Sequence, residues 1–202
     1  MNDQELLEWY EKAAGFHKKR APGLLIAAAM IDSCSLRLGA VKDRLNAVCE
    51  SGSCLADVIM LMTGCTIGNR YLTIHGDIGR FALALFDRAD GRGVRAFIDL
   101  DRISPDETPE LYRFFYRTRS AEVKAGGEAR LKSGEQVIKE FLTVRDKVIG
   151  LQNVQVERFG KHDKPGAGRC SQCGESFLQK TAADAANCSI CSGEFSYYRR
   201  ID

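Results

Sequence analysis

Apolar positions recur at helical spacing in the first forty residues. The stretch from about Asn2 to Ala14 carries an apolar stripe, and Asn2 with Glu5 forms a capping box, so it predicts a helix. A second helix is predicted from Pro22 to just before Gly39. Its first half, LLIAAAMI, is apolar on every side. Such a helix is buried, either in a core or at a dimer interface.

Shorter apolar runs with turn residues between them follow, and these are typical of strands. Predicted strands cover Asn46–Cys49, Tyr71–His75, Phe81–Phe86 and Val94–Asp99, the last two flanking the turn Asp90-Gly91. Further helices are predicted from about Cys54 to Thr63, from Pro109 to about Arg117, and from a capping box at Ser133 and Gln136 to about Lys147. The pattern therefore predicts an α+β fold, with a mixed, antiparallel-leaning sheet and packed helices.

Length and composition divide the chain into a core and a small module. The 202 residues are 45% apolar, which is enough for a sizeable core. The predicted division is a core over 1–158, a polar linker with Gly and Pro over 159–169, and a cysteine-rich module over 170–202.

Charge and hydropathy exclude several classes of protein. The net charge of +2 argues against binding nucleic acid through bulk electrostatics. The longest strongly apolar run, about Leu24–Ile31, is too short to span a membrane. The acidic, polar start MNDQELLEWYEK is not a secretory signal. We therefore expect a cytoplasmic protein whose eight cysteines are reduced.

The last third of the chain carries two Cys-x-x-Cys pairs. Fourteen residues separate Cys170 and Cys173 from Cys188 and Cys191. A two-residue gap lets one turn present two sulfurs to one ion, and two such turns complete the tetrahedral shell that zinc prefers. The spacing therefore predicts a zinc-binding module, a zinc ribbon, whose metal supplies its folding energy.

Aromatic and basic residues end the module. They are Phe195, Tyr197, Tyr198, Arg199 and Arg200. Such residues could stack on nucleic acid, but packing on the core or on a second subunit is the explanation we prefer.

Cys54 is the cysteine of the core best placed for chemistry. It follows Gly52-Ser53 and begins a predicted helix, and a helix N-terminus lowers the pKa of a thiol. Asp57 lies one turn on, as a base or a second ligand, and Cys65 follows Gly64 at the other end of the same helix. A plain structural cysteine at position 54 remains an alternative.

The middle of the chain resembles a known family. The run CLADVIMLMTGCTIGNRYLTIHGDIGRFALALF, followed by GRGVRAF, is similar to the E-type subunit of molybdenum or tungsten formylmethanofuran dehydrogenase. That family shows a cysteine followed by Asp three residues on, then Thr-Gly-Cys-Thr-x-Gly, and many of its members carry a C-terminal four-cysteine zinc finger. The resemblance implies a core like the catalytic domain of glyceraldehyde-phosphate dehydrogenases, a homodimer, and association with molybdenum or tungsten dehydrogenase subunits.

The chain departs from the family at the N-terminal signature Phe-His-Gly-His-x-Cys-Pro-Gly. The corresponding residues are FHKKRAPG, so Lys19 and Ala21 replace a His and a Cys, while His17 is retained. A second metal could still be held in the core by His17 with Cys54, Asp57 or Cys65. Alternatively, three basic residues before the second helix could seat an anion: Lys18, Lys19 and Arg20.

Three functions stay open from the sequence. The first is a zinc-binding accessory protein that handles metal, cofactor or sulfur for a molybdenum or tungsten enzyme and has no catalysis of its own. The second is a small thiol- or metal-dependent enzyme with a cleft at Cys54 and His17. The third is a zinc-ribbon module that binds nucleic acid or protein.

Overall fold

The computed structural model describes residues 1–41, 43–157, 166–179, 186–199 and 201. The chain divides into two compact units, Met1–Phe159 and Gly160–Asp202. The hydrophobic core cluster lies wholly within the first unit.

Helices and strands of the first unit lie close to their predicted positions. Its helices are α1 (Asp3–His17), α2 (Pro22–Leu38), α3 (Leu55–Thr63), α4 (Pro109–Phe115), α5 (Ala121–Ala125) and α6 (Gly127–Val148). Its strands are β1 (Leu45–Cys49), β2 (Leu72–Ile74), β3 (Ala82–Asp87), β4 (Arg92–Ile98) and β5 (Ile149–Gln155). The capping box between Asn2 and Glu5 is formed at the start of α1, and Pro22 opens α2.

Helix α2 is the centre of the core. Every residue from Pro22 to Ile31 is buried, and α2 packs against α1, α3, α6 and the sheet. The all-round apolar stretch is thus covered by its own chain, because helices surround it on one side and strands on the other. It no longer argues for a dimer interface, and the homodimer stays a prediction.

The five strands form one mixed sheet in the order β2-β1-β3-β4-β5. Only the β1–β2 pair is parallel among the described strands. The predicted hairpin is present, with β3 and β4 paired from Ala82↔Phe97 to Phe86↔Gly93. These elements confirm the α+β class with a mixed sheet and packed helices. The likeness to the glyceraldehyde-phosphate dehydrogenase domain stays a prediction.

Alternate residues of β4 point to opposite faces of the sheet. Val94, Ala96 and Ile98 belong to the core that contains α2. Because side chains alternate along a strand, Arg95 and Phe97 point away from that core. The second face of β4 is therefore available to line a site.

The region after position 120 differs from the predicted pattern. Ser133 lies inside α6 rather than at its start, and its hydroxyl donates to Glu110 Oε2 at 2.6 Å. Helix α6 therefore begins six residues earlier than position 133, at Gly127. Strand β5 was not predicted, because Gly150 marks only the end of α6 and the residues after it become a regular strand by pairing with β4.

The second unit contains a hairpin of β6 (Gly166–Arg169) and β7 (Ser176–Gln179). The hairpin takes up the last four residues of the predicted linker, and the division into core, linker and module stays a prediction. Residues 158–165 lie outside the described part of the chain. Within the described residues, no helix has the length and apolar character that crossing a bilayer requires.

Candidate functional site

The four cysteines of the second unit come together. The sulfurs of Cys170, Cys173, Cys188 and Cys191 lie within 4.8 Å of one another. The first pair lies in the turn between β6 and β7. Thiolates at this separation can share one ion in a tetrahedral shell.

The two Cys-x-x-Cys turns have the same local geometry. The Cys170 carbonyl accepts a hydrogen bond from Gly174 N–H at 3.0 Å, and the Cys188 carbonyl accepts one from Ser192 N–H at 2.9 Å. Gly174 and Gly193 both have φ of +79°, which favours glycine. Both turns therefore share the hydrogen bond from the residue after the second cysteine to the first cysteine, and the left-handed glycine comes one residue later in the second turn.

Hydrogen bonds to one of these sulfurs favour its thiolate form. Backbone N–H groups of Cys173 and Cys188 lower the pKa of the Cys170 thiol to about 6. Burial, followed by hydrogen bonds within the cluster, raises the pKa of Cys191 to about 12. A divalent cation bound by the four sulfurs would displace the thiol protons that remain.

In the first unit, His17 and Asp57 form a close pair. His17 is the last residue of α1 and Asp57 lies in the first turn of α3, and His17 Nδ1 lies 2.6 Å from Asp57 Oδ2. An ionised carboxylate only accepts hydrogen bonds, so Nδ1 donates to Asp57 Oδ2 and Nε2 is left for another partner. This arrangement can orient an imidazole as a base or as a metal ligand.

Cys54 does not have the activated thiol that its position predicts. Burial, and secondarily the negative charge of Asp57, raise the pKa of the Cys54 thiol above its ordinary value. The sulfur packs against α2, where a Cβ added to Gly23 would lie 2.7 Å from it. The prediction of a lowered pKa is therefore wrong, because loss of water outweighs the field of the α3 N-terminus.

Cys65 lies at the other end of α3. It is buried, and its sulfur donates a hydrogen bond to the Leu45 carbonyl at 3.3 Å. Within the described residues, the tail cysteines are the only group of three or more His, Cys, Asp or Glu side chains that could hold a metal. Of the predicted core site, His17 and Asp57 are thus brought together, whereas Cys54 and Cys65 do not complete a group of three ligands with them, and a core metal stays a prediction.

The predicted anion seat before α2 is also altered. Arg20 forms a two-bond ion pair with Glu11, at 2.8 and 2.5 Å. Lys18 caps α1 in the left-handed conformation, with φ of 62°. Lys19 lines a cavity of about 650 Å³ together with His17. Arg20 is thus partly paired with Glu11, and the anion site stays a prediction.

A larger cavity, of about 800 Å³, contains Cys54 in its wall. It was not predicted from the sequence. Its lining is basic and aromatic, and comprises Arg80, Arg95, Arg117, Arg119, Lys124, Phe81, Phe97, Phe114 and Phe115. The segment FFYRTRS at 114–120 has three aromatic residues followed by two arginines, and it was the one available signal. The two cavities share Phe114 and Arg119 in their linings.

The fold and the cysteine cluster agree with comparisons to known proteins. Residues 16–150 match the family described as FmdE, Molybdenum formylmethanofuran dehydrogenase operon. The chain belongs to this family, which confirms the resemblance seen in the sequence.

Two relatives cover nearly the whole chain. The crystal structure of a tungsten formylmethanofuran dehydrogenase FmdE-like protein from Syntrophus aciditrophicus has a TM-score of 0.77 and 30% identity, covering 96% of this chain and 95% of that one. A protein of Archaeoglobus fulgidus named "Probable S-adenosyl-L-methionine-binding protein" is 26% identical over 196 residues, 93% of this chain and 52% of its own length. The chain thus spans about half the length of that curated relative.

Proposed function

We propose that this chain is a zinc-binding accessory protein of a molybdenum or tungsten enzyme. The observation that carries the metal part is the convergence of four cysteine sulfurs in the second unit. Zinc suits four thiolates in two Cys-x-x-Cys turns better than the harder divalent ions do. The accessory role is supported by the family's description and by the name of the Syntrophus relative.

In this proposal the metal folds the second unit, and the first unit handles metal, cofactor or sulfur for the partner enzyme. The second unit offers few buried apolar residues, whereas the first has a large core. The protein acts in the cytoplasm, as a homodimer, on the dehydrogenase subunits.

The metal part is tested by elemental analysis of the purified protein. We expect about one zinc per chain from one tetrahedral site. Cys173→Ala should lose the zinc, while the matched change Cys34→Ala, in the core, should keep it. Unchanged zinc content in Cys173→Ala would contradict the assignment.

The accessory role is tested by gel filtration with recombinant formylmethanofuran dehydrogenase catalytic subunits. The zinc-loaded chain should co-elute with them. Separate elution at micromolar concentrations of both would count against a stable complex.

A small enzyme at His17 is a second candidate, and the His17–Asp57 pair favours it. A carboxylate-bound imidazole can act as a general base. Cys54 is a poor nucleophile for such an enzyme, because its raised pKa keeps the thiol protonated at neutral pH.

Alkylation tests whether Cys54 is a buried structural cysteine or the nucleophile of an enzyme. With iodoacetamide and peptide mass spectrometry, Cys54 should react more slowly at pH 7 in the folded protein than in the unfolded chain. Its rate should rise as the pH passes above the ordinary thiol value of 9.0. Fast labelling of Cys54 in the native protein at pH 7 would favour the enzyme instead.

A nucleic-acid role for the second unit has one supporting observation. Phe195, Tyr197 and Tyr198 are exposed and in contact with one another. Arg200, the last basic residue of that predicted set, lies outside the described residues. Aromatic side chains of this kind stack on single strands. A gel-shift assay with single-stranded DNA and RNA at 150 mM salt, about physiological, would reveal such binding.

The name of the Archaeoglobus relative adds S-adenosylmethionine as a candidate ligand. This compound carries a sulfonium and an ammonium against one carboxylate, so its net charge is positive. The basic cavity that contains Cys54 repels such a molecule. We therefore do not assign S-adenosylmethionine to this cavity.

A further inference from the structure

The basic aromatic cavity beside Cys54 has walls from several separate parts of the first unit. Arg80 and Phe81 precede β3, and Arg95 and Phe97 come from the second face of β4. The other wall is the segment 114–124, from the end of α4 into α5. Because strands and a helix end converge there, several elements shape the cavity, and it is not a groove along one of them.

The charges of the cavity are mostly unbalanced. Glu50 binds Arg95 through two hydrogen bonds of 2.6 and 2.8 Å and lies 3.8 Å from Arg80. Arg117, Arg119 and Lys124 make no ion pair with any of the described residues. No acidic side chain lines the cavity in the part of the chain that the structure describes.

The crowding of positive charge is visible at Arg119. Burial is the main cause that lowers the pKa of Arg119 below its ordinary value, the positive charge of Arg130 adds to it, and the negative charge of Glu110 opposes it. The Arg119 guanidinium also lies over the Phe114 ring, 5.1 Å from its centre. An incoming anion would relieve this repulsion and would meet a guanidinium already held in place.

The phenylalanines give the cavity an apolar wall. Phe81, Phe97, Phe114 and Phe115 are all half-buried, so one side of each ring is packed and another is open. Phe115 makes edge contacts with Phe81 at 5.5 Å and with Phe114 at 5.1 Å between ring centres. These edge contacts hold the rings in place, and a planar ligand can pack against the ring faces that the Arg95 and Arg119 guanidinium groups do not cover.

The size of the cavity selects among anions. A volume of about 800 Å³ lies in the range of cofactor sites and far exceeds a single oxyanion. A bare oxyanion would also leave the rings in contact with water. The walls therefore match a molecule that has both a charged group and a flat apolar group.

We propose that this cavity binds a small phosphorylated molecule with a planar ring, of the nucleotide class. Arg117, Arg119 and Lys124 hold its phosphates, and the phenylalanine rings contact its base. The proposal is independent of the tail zinc and of any partner enzyme. The cavity proposal and the proposed function can therefore each fail without the other.

The test is isothermal titration calorimetry of the full zinc-loaded chain at low ionic strength. The probes are ADP, pyrophosphate, which lacks the ring, and adenosine, which lacks the phosphates. We expect ADP to bind more tightly than either part. Arg117→Gln and Lys124→Gln, both at exposed positions and therefore safe for folding, should each weaken ADP by about tenfold.

The matched control is Lys132→Gln on α6. Lys132 is exposed, pairs with Glu128 and is outside the cavity lining, so ADP affinity should stay within about twofold. The proposal is overturned if ADP does not bind at millimolar concentration, or if pyrophosphate or adenosine binds as well as ADP. The proposal is also overturned if Lys132→Gln weakens ADP binding as much as Arg117→Gln and Lys124→Gln do.

Discussion

At the scale of single residues, the Cys54 sulfur occupies the space that a side chain at position 23 would need. A Cβ at position 23 would lie 2.7 Å from the Cys54 sulfur and 3.4 Å from the Phe81 ring. The Cys54 sulfur, at the start of α3, thus fills the place of a missing side chain on α2. This contact accounts for glycine at the start of a buried helix, where alanine is otherwise preferred.

We predict that Gly23→Ala destabilises the first unit by about 1–3 kcal/mol through overpacking. In a Cys54→Ala background the same change should be close to neutral, because the sulfur is gone and alanine favours the helix by about 1 kcal/mol. Urea unfolding of the four proteins of this double-mutant cycle measures the coupling. Additive effects of the two changes would show that the sulfur is not the obstacle.

The sequence placed Cys54 at a helix start but gave the wrong direction for its pKa. Position along a helix is local and can be read from Gly52-Ser53 and the apolar run that follows. Burial depends on which element packs over the sulfur, and that is α2, some thirty residues earlier in the chain. Local reasoning therefore found the residue and missed its environment.

At the scale of elements, α2 explains why the core is stable as one chain. Leu25 has no solvent exposure, and its helix contacts three other helices and three strands. A dimer of this protein must therefore use another surface.

We predict that Leu25→Ala costs about 2–5 kcal/mol, the usual range for a buried leucine. The thermal unfolding midpoint of this variant should vary with protein concentration no more than the midpoint of the parent does. Circular dichroism melts over a hundredfold range of concentration would check this. Dissociation of an oligomer by Leu25→Ala without loss of fold would instead place α2 at an interface between copies of the chain.

Sequence reasoning did well for α2 and poorly for β5. Pro22, the apolar run and Gly39 mark α2 within the chain itself, and the structure places it at Pro22–Leu38 as predicted. Strand β5 has no comparable signal, since its form depends on hydrogen bonds to β4, more than fifty residues away. Local signals find elements that are stable locally, and pairing decides the rest.

At the scale of the whole molecule, two units have different sources of stability. The first unit holds the apolar core, and the second holds four converging cysteines. Metal binding should therefore govern one unit and apolar burial the other.

We predict that a strong chelator unfolds the second unit and leaves the first folded. Limited proteolysis after chelation should cut within 166–199 and leave a resistant fragment containing α1 to β5. Acidification should act in the same direction, because protons compete with the metal for thiolates, beginning at the more basic sulfurs. Loss of the whole fold on chelation would mean that the core also depends on the metal.

The sequence by itself determined the family, the α+β class, the buried helix α2 and the four cysteines of the tail. Each of these depends on residue spacing within one short segment, which is preserved in the linear chain. Only the tertiary structure decided that His17 pairs with Asp57, that the core cysteines do not converge, and that basic and aromatic residues from β3, β4 and 114–124 share one cavity. These features depend on packing between distant segments, and no local sequence pattern indicates which side chains will meet.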